Sequence, residues 1–182
     1  MRIYFAFIRP VLEYGDVVWG NCTKNESYLL ESVQIEVGWI ITGLQCNSSR
    51  HKIYCELGES LENRRNKHKL TLFNKIRNGL TRAYLYELIQ PYLPRRSGYN
   101  LRNENNTFYP PFTRTSSLYD SFIPFTIRLW NALPLTITES PSLNIFKDRL
   151  THFYKTWDTN AHYHFGIRLR LGFIRFHTDN NT

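Results

Sequence analysis

The chain has 182 residues, with 23 Lys and Arg against 15 Asp and Glu, for a formal net charge of +8 and a pI near 9.5. That length suits one domain, or one domain with a tail, and 42% hydrophobic with 15% aromatic residues excludes wholesale disorder. The best apolar run, Met1 to Trp19, is interrupted by Arg9, Pro10, Glu13 and Asp16, so it neither spans a bilayer nor reads as a signal peptide.

In chain order, Ile3, Phe7 and Ile8 recur at helical spacing before Pro10, where a kink or restart is expected, and Leu12 continues the face. Gly15 and Asp16 break the run, and Val17, Val18 and Trp19 read as a short buried connector. From about Asn25 a long helix follows, with Leu29/Leu30, Val33, Val37, Ile40/Ile41 and Leu44 on one face and Glu26, Glu31 and Glu36 opposite. Thr23 or Asn25 is its expected cap, and Gly43 lies near its end. Ser48 or Ser49 caps a short helix carrying Ile53, Tyr54 and Leu57, which Gly58 stops.

Ser60 opens the next helix, with Leu61, Leu70, Leu72, Phe73 and Ile76 as apolar positions and Gly79 as its stop. Thr81 is the expected cap of a further helix bearing Tyr84, Leu85 and Leu88, ending before Pro91. Pro91, Pro94, Gly98, Pro110 and Pro111 mark a long irregular stretch to about Ser116, of a length that is usually functional or a linker. Helix resumes over Ser121 to Leu133, with Phe122, Ile127, Trp130 and Leu133 buried together and Pro134 as terminator. Ser140 or Ser142 caps the last helix, where Leu143, Phe146, Leu150 and Phe153 repeat. The expected fold is mainly α: a small multi-helix domain with a long irregular Pro-containing loop and a C-terminal helix plus tail. Its parts are a helical region 1–94, a basic and aromatic linker 95–116, a C-terminal helical region 117–155 and a tail 156–182.

The charge is unevenly placed. Residues 1–60 carry five basic and seven acidic side chains, residues 61–102 ten and two, and residues 103–182 eight and six. The +8 of residues 61–102 therefore equals the excess of the whole chain. Such clustering is the electrostatic footprint of a polyanion binder, although a solvated helix face gives the same pattern.

Catalytic chemistry finds little footing. Two-metal transfer needs carboxylates that share divalent cations, yet there is no Asp-Asp pair, and Asp120, Glu139, Asp148, Asp158 and Asp179 are scattered. A Gly-rich phosphate loop and a G-x-S-x-G elbow are missing from the sequence. Cys46, His51 and Cys55 lack a fourth ligand at zinc-site spacing, and His152, His162, His164 and His177 read as exposed; no metal and no cofactor is expected. An odd count of three cysteines (Cys22, Cys46, Cys55) fits free thiols in a reducing compartment. The protein is thus expected in the nucleus or cytoplasm rather than secreted, and the Asn-X-Ser/Thr triplets at Asn21, Asn25, Asn47, Asn105 and Asn180 read as chance.

Several separated motifs carry a resemblance. Phe7-Ile-Arg-Pro-Val-Leu-Glu-Tyr-Gly-Asp-Val-Val-Trp19 resembles the segment after the palm in reverse transcriptases of non-LTR retrotransposons, the jockey-like and CR1-like elements above all. Ile40-Ile-Thr-Gly43, Leu57-Gly-Glu-Ser-Leu-Glu-Asn-Arg-Arg65, Ser97-Gly-Tyr-Asn-Leu-Arg102, Ser121-Phe-Ile-Pro-Phe-Thr-Ile-Arg-Leu-Trp-Asn-Ala-Leu-Pro134 and Phe146-Lys-Asp-Arg-Leu150 follow in the family's order, over roughly residues 3–155. His164 to Phe173 resembles the start of a later segment that in relatives leads to a zinc knuckle.

The resemblance implies a thumb and post-thumb region, with residues 1–94 thumb-like. The family's catalytic carboxylates have no counterpart in this sequence, so a noncatalytic fragment of an RNA-directed DNA polymerase is expected, not an enzyme. In the parent, such helices grip RNA or an RNA–DNA hybrid by its backbone. Arg64, Arg65, Lys67, Lys69, Arg95, Arg96 and Arg102 are the expected phosphate contacts, with Tyr99 as a stacker. A second implied partner is the palm and fingers of the parent polymerase; no membrane partner is expected. The alternative is a helical interaction module, or an inactive remnant, without a nucleic-acid role, whose face of Leu29, Val33, Val37, Trp39 and Ile40 packs on a partner.

Overall fold

The computed structural model describes residues 2–43, 50–92 and 108–161. Among them are ten α-helices and no strand, the expected mainly helical small domain.

A π-helical turn at Tyr4–Ile8 runs into α1 (Arg9–Glu13). The restart falls at Pro10, in a first turn where a missing N–H leaves no helical hydrogen bond unmade. Gly15, at φ 65°, breaks the helix before α2 (Asp16–Trp19), so the expected buried connector is instead a helical turn with Val18 exposed and Val17 and Trp19 half-buried, because Asp16 takes the inward position. Thr23 and Glu26 form a reciprocal capping box at the start of α3 (Lys24–Thr42). That choice settles the cap on Thr23 rather than Asn25. Gly43, in the left-handed region at φ 65°, ends the helix.

After α4 (Arg50–Leu57), Ser60 caps α5 (Leu61–Arg77) by accepting from Asn63 N–H. The cap of α6 (Ala83–Ile89) is Arg82, not Thr81. The Thr81 hydroxyl is buried without a partner, so position rather than side-chain chemistry starts that helix. A 3-10 turn, Gln90–Tyr92, follows. Of the expected irregular stretch, residues 93–107 lie outside the described residues, and 108–115 carry no helix. Then come α7 (Ser116–Tyr119), α8 (Phe122–Asn131), α9 (Leu135–Thr138) and α10 (Leu143–Ala161). Two differences from expectation stand out. Pro134 ends one helix but opens α9 as its N-cap, and α10 runs to Ala161 rather than yielding to a tail at 156.

Helix α5 is the spine, packing on α2, α3, α6, α8 and α10. One side, Leu70, Phe73 and Ile76, enters the main core with Ile89, Phe108, Ile127, Trp130, Ile137, Phe146, Leu150 and Tyr154. Trp130 lies at its centre, fully buried, stacked on Phe146 at 5.7 Å between centroids, tilted against Phe73 at 5.2 Å, and edge-on to Phe108 at 6.2 Å. Asn131, next to it, bonds Phe108 twice: its Nδ2 donates to the carbonyl at 2.8 Å and its Oδ1 accepts from the N–H at 3.0 Å. Beside that bracket, Tyr109 N–H donates to the Tyr92 carbonyl at 3.0 Å.

A smaller cluster gathers Tyr4, Ile35, Ile53 and Leu57. Here α3 turns a different face inward from the one its pattern predicts. Gln34, Ile35 and Gly38 are buried, while Leu29, Val33 and Ile40 are exposed. The reason is steric and polar at once. Gly38 lets α4 approach so closely that a Cβ there would lie 2.3 Å from Ile53 Cγ2. Gln34 receives the Tyr4 hydroxyl at 2.9 Å, and Glu31 accepts from the Tyr54 hydroxyl at 2.7 Å and Leu61 N–H at 3.0 Å.

Candidate nucleic-acid interface

The basic segment begins on α5, where a 3.6-residue period sends Arg64, Arg65, His68 and Lys69 toward the N-terminal helices. Four expected phosphate contacts, Arg64, Arg65, Lys67 and Lys69, are thereby brought together, but each has an internal partner. Arg64 forms a two-pronged pair with Glu13 of α1; its Nη2 donates to Glu13 Oε2 at 2.9 Å, and its Nε reaches Oε1. Arg9 donates to the same carboxylate at 3.1 Å. Arg65, 3% exposed, donates to the Ser27 hydroxyl at 2.6 Å and lies over the Trp19 ring at 5.7 Å. Lys67 pairs with Glu59, which Arg64 also approaches at 3.7 Å.

Lys69 is fully buried. Its ammonium donates to the Gly20 carbonyl at 2.9 Å and to Asn21 Oδ1, and lies 4.4 Å from the centroid of the Phe125 ring. Carbonyl, amide and π-face replace only part of the lost hydration, so burial lowers its pKa to about 8. His68 Nδ1 meets Asp16 Oδ2 at 2.5 Å; that hydrogen bond raises the imidazole's pKa above its ordinary value, against an opposing effect of burial. Burial likewise raises the Glu13 carboxyl, outweighing the pull of Arg9.

Arg95, Arg96, Tyr99 and Arg102 lie outside the described residues, as do Cys46, His162, His164 and His177 and the segment from His164 to Phe173. Cys55 is exposed, and among the described residues no three His, Cys, Asp or Glu side chains gather as a metal site. No described helix is long and apolar enough to cross a membrane. Other basic groups serve the core: Arg77 lies over Trp130 at 5.4 Å and donates to the Thr138 carbonyl at 3.2 Å, and Arg128 covers the Tyr119 ring at 3.5 Å.

In the sequence Glu13 and Asp16 read only as interruptions of an apolar run. Their signal was available in the opposite sign and matching periodicity of α5, but a pairing across 51 or 52 residues has no local signature. The second finding not anticipated is the outward apolar stripe of the N-terminal helices. Ile3, Phe7, Val11, Tyr14 and Val18 are each 70–86% exposed, while Arg9, Glu13 and Asp16 turn inward. No family model, curated protein or solved structure matches this chain.

Proposed function

We propose that this chain is a noncatalytic thumb and post-thumb region of a non-LTR retroelement reverse transcriptase, contributing backbone contacts to an RNA or RNA–DNA template–primer in the parent enzyme. One observation carries the reading: residues from motifs far apart in sequence interlock in one helical unit. Glu13 and Trp19 of the first motif meet Arg64 and Arg65 of the third, and Trp130 of the fifth stacks on Phe146 of the sixth. A series of motifs that specifies one packed body is what a retained domain requires.

Because Arg64, Arg65, Lys67 and Lys69 are held by internal partners, phosphate contact in this state falls to Arg95, Arg96 and Arg102, with Tyr99 stacking on a base. Three cysteines fit a reducing, intracellular setting. A salt titration of binding to an RNA–DNA hybrid tests the reading. Affinity should fall steeply with salt, as counterion release demands, and should drop when Arg95, Arg96 and Arg102 are replaced together by Ala. Salt-insensitive affinity, or affinity unchanged in that triple variant, overturns it.

A second reading, a helical protein-interaction module, is favoured by the outward apolar side chains. Leu29 is 56% and Ile40 81% exposed on α3, and the N-terminal stripe adds to them. Exposed apolar surface of this extent marks interaction sites, and the polymerase palm is the partner the resemblance supplies. The double variant Val18→Lys/Ile40→Lys should abolish binding to a palm-and-fingers fragment without unfolding the chain; retained binding removes this reading.

A further inference from the structure

Helices α1 and α2 are joined to α5 in an unusual sense for an amphipathic segment. Val11, Tyr14 and Val18 face solvent, Leu12, Val17 and Trp19 are half-buried with Trp19 under Arg65, and the carboxylates face α5. Glu13 takes Arg64, Asp16 takes His68, and the end of α2 takes the Lys69 ammonium through the Gly20 carbonyl and the Asn21 side chain. The carboxylates at 13 and 16 and the carbonyl at 20 thus form a row of oxygens along one side of α5. They take three of the four basic positions on that face, Arg64, His68 and Lys69, as a run of phosphate oxygens would, while Arg65 is held by Ser27. The same helix lies in the stretch that holds the chain's whole basic excess.

We propose that residues 9–21 form an acidic strap occupying a polyanion-binding face of α5, and that a nucleic-acid backbone displaces the strap to engage Arg64, His68 and Lys69. This rests on the nucleic-acid reading above and deepens it by assigning a masked second contact surface. Two features make displacement feasible. Gly15 and Gly20 flank α2 as hinge positions, and the strap buries few apolar side chains of its own, since Val11, Tyr14 and Val18 face outward. Phosphate oxygens would replace carboxylates at Arg64 and His68 and neutral oxygens at Lys69, so each of the three keeps an oxygen partner in both states.

The test is binding of the full chain to a mixed-sequence RNA–DNA hybrid, comparing wild type with the double variant Glu13→Gln/Asp16→Asn. The control is Glu36→Gln/Asp148→Asn, which makes the same change in net charge at exposed positions. Unmasking should raise affinity about tenfold over the control and steepen the dependence on salt by about two to three phosphate equivalents. Affinity and slope equal to the control's overturn the proposal. Hydrogen exchange on wild type supplies a reading independent of any variant's folding. Amides of residues 9–21 should lose protection when the hybrid binds, while those of α8 and α10 keep theirs; unchanged or increased protection over 9–21 overturns it. The two readings separate cleanly. A hybrid bound only through Arg95, Arg96 and Arg102, with no gain on unmasking, leaves the proposed function standing and removes the strap; absence of binding in both wild type and Glu13→Gln/Asp16→Asn removes both.

Discussion

Asn131 holds Phe108 by both backbone groups, donating to its carbonyl at 2.8 Å and accepting from its N–H at 3.0 Å. The carboxamide copies the pairing a neighbouring strand would offer, with no strand among the described residues, and so holds Phe108 against the end of α8. Two such bonds are together worth about 1–3 kcal/mol. Asn131→Leu should lower stability by about that amount, read as the urea midpoint, since both backbone groups lose their partner. Asn131→Asp, which keeps an acceptor and loses the donor, should fall between wild type and the Leu variant.

Trp130 fills the centre of the main core between Phe73, Phe108 and Phe146. Trp130→Ala should cost about 3–5 kcal/mol, the range for removing a large buried aromatic side chain. In a domain of this size such a loss takes up much of the whole stability, so circular dichroism at ambient temperature should show partial unfolding. Trp130→Phe, which keeps an aromatic contact with Phe146, should retain the helical signal and a cooperative transition.

The close crossing of α3 and α4 at Gly38 gives a test of coupling. Gly38→Ala places a methyl 2.3 Å from Ile53 Cγ2 and 3.0 Å from Leu57 Cδ1, and Ile53 has no exposed surface into which to move. Overpacking of this kind costs about 1–3 kcal/mol. Ile53→Ala removes the offending methyl, so the double variant should be more stable than the sum of the single losses predicts. A double-mutant cycle in urea measures that interaction directly.

The face of α5 toward the strap carries opposite pH signatures. Hydrogen bonding to Asp16 raises the folded His68 pKa, and Glu13 and Lys67 act on it too. Its stabilising contribution is therefore complete below the unfolded value, about 6.5, and is lost as pH climbs through the higher folded value. Lys69 behaves in reverse. With its folded pKa lowered to about 8 from 10.5, the unfolded chain binds the extra proton between those values, and stability rises with pH across that window. Urea midpoints should fall above neutrality and recover in the alkaline range. His68→Gln should flatten the first limb, and Lys69→Met the second.

Local rules made much of the fold legible. Thr23, Gly43, Ser60 and Gly79 mark helix ends through capping and left-handed backbone, effects confined to a few residues. The core positions of α5, α8 and α10 also follow from their spacing. What sequence did not reveal was the orientation of α3 and of the N-terminal helices. A helix bearing Leu29, Val33 and Ile40 along one side is read as burying that side. Here the close approach at Gly38 and the hydrogen-bonding needs of Gln34 and Glu31 decide otherwise, and these depend on α4 and α5 being in place. The candidate site was only half legible for the same reason. The basic positions were evident, but not that Glu13, Asp16 and Glu59 would already be pairing with them.

The chain leaves the helical body at Tyr92 and returns at Tyr109, and the two backbones meet in a hydrogen bond of 3.0 Å. Whatever the length of chain between, it starts and finishes at one point pinned by the Asn131 bracket. The entropic cost of closing a segment at one point grows slowly with its number of residues. The residues that carry Arg95, Arg96, Tyr99 and Arg102 are thus a segment whose two ends share one anchor, so its exit and its return are set by residues on the body itself.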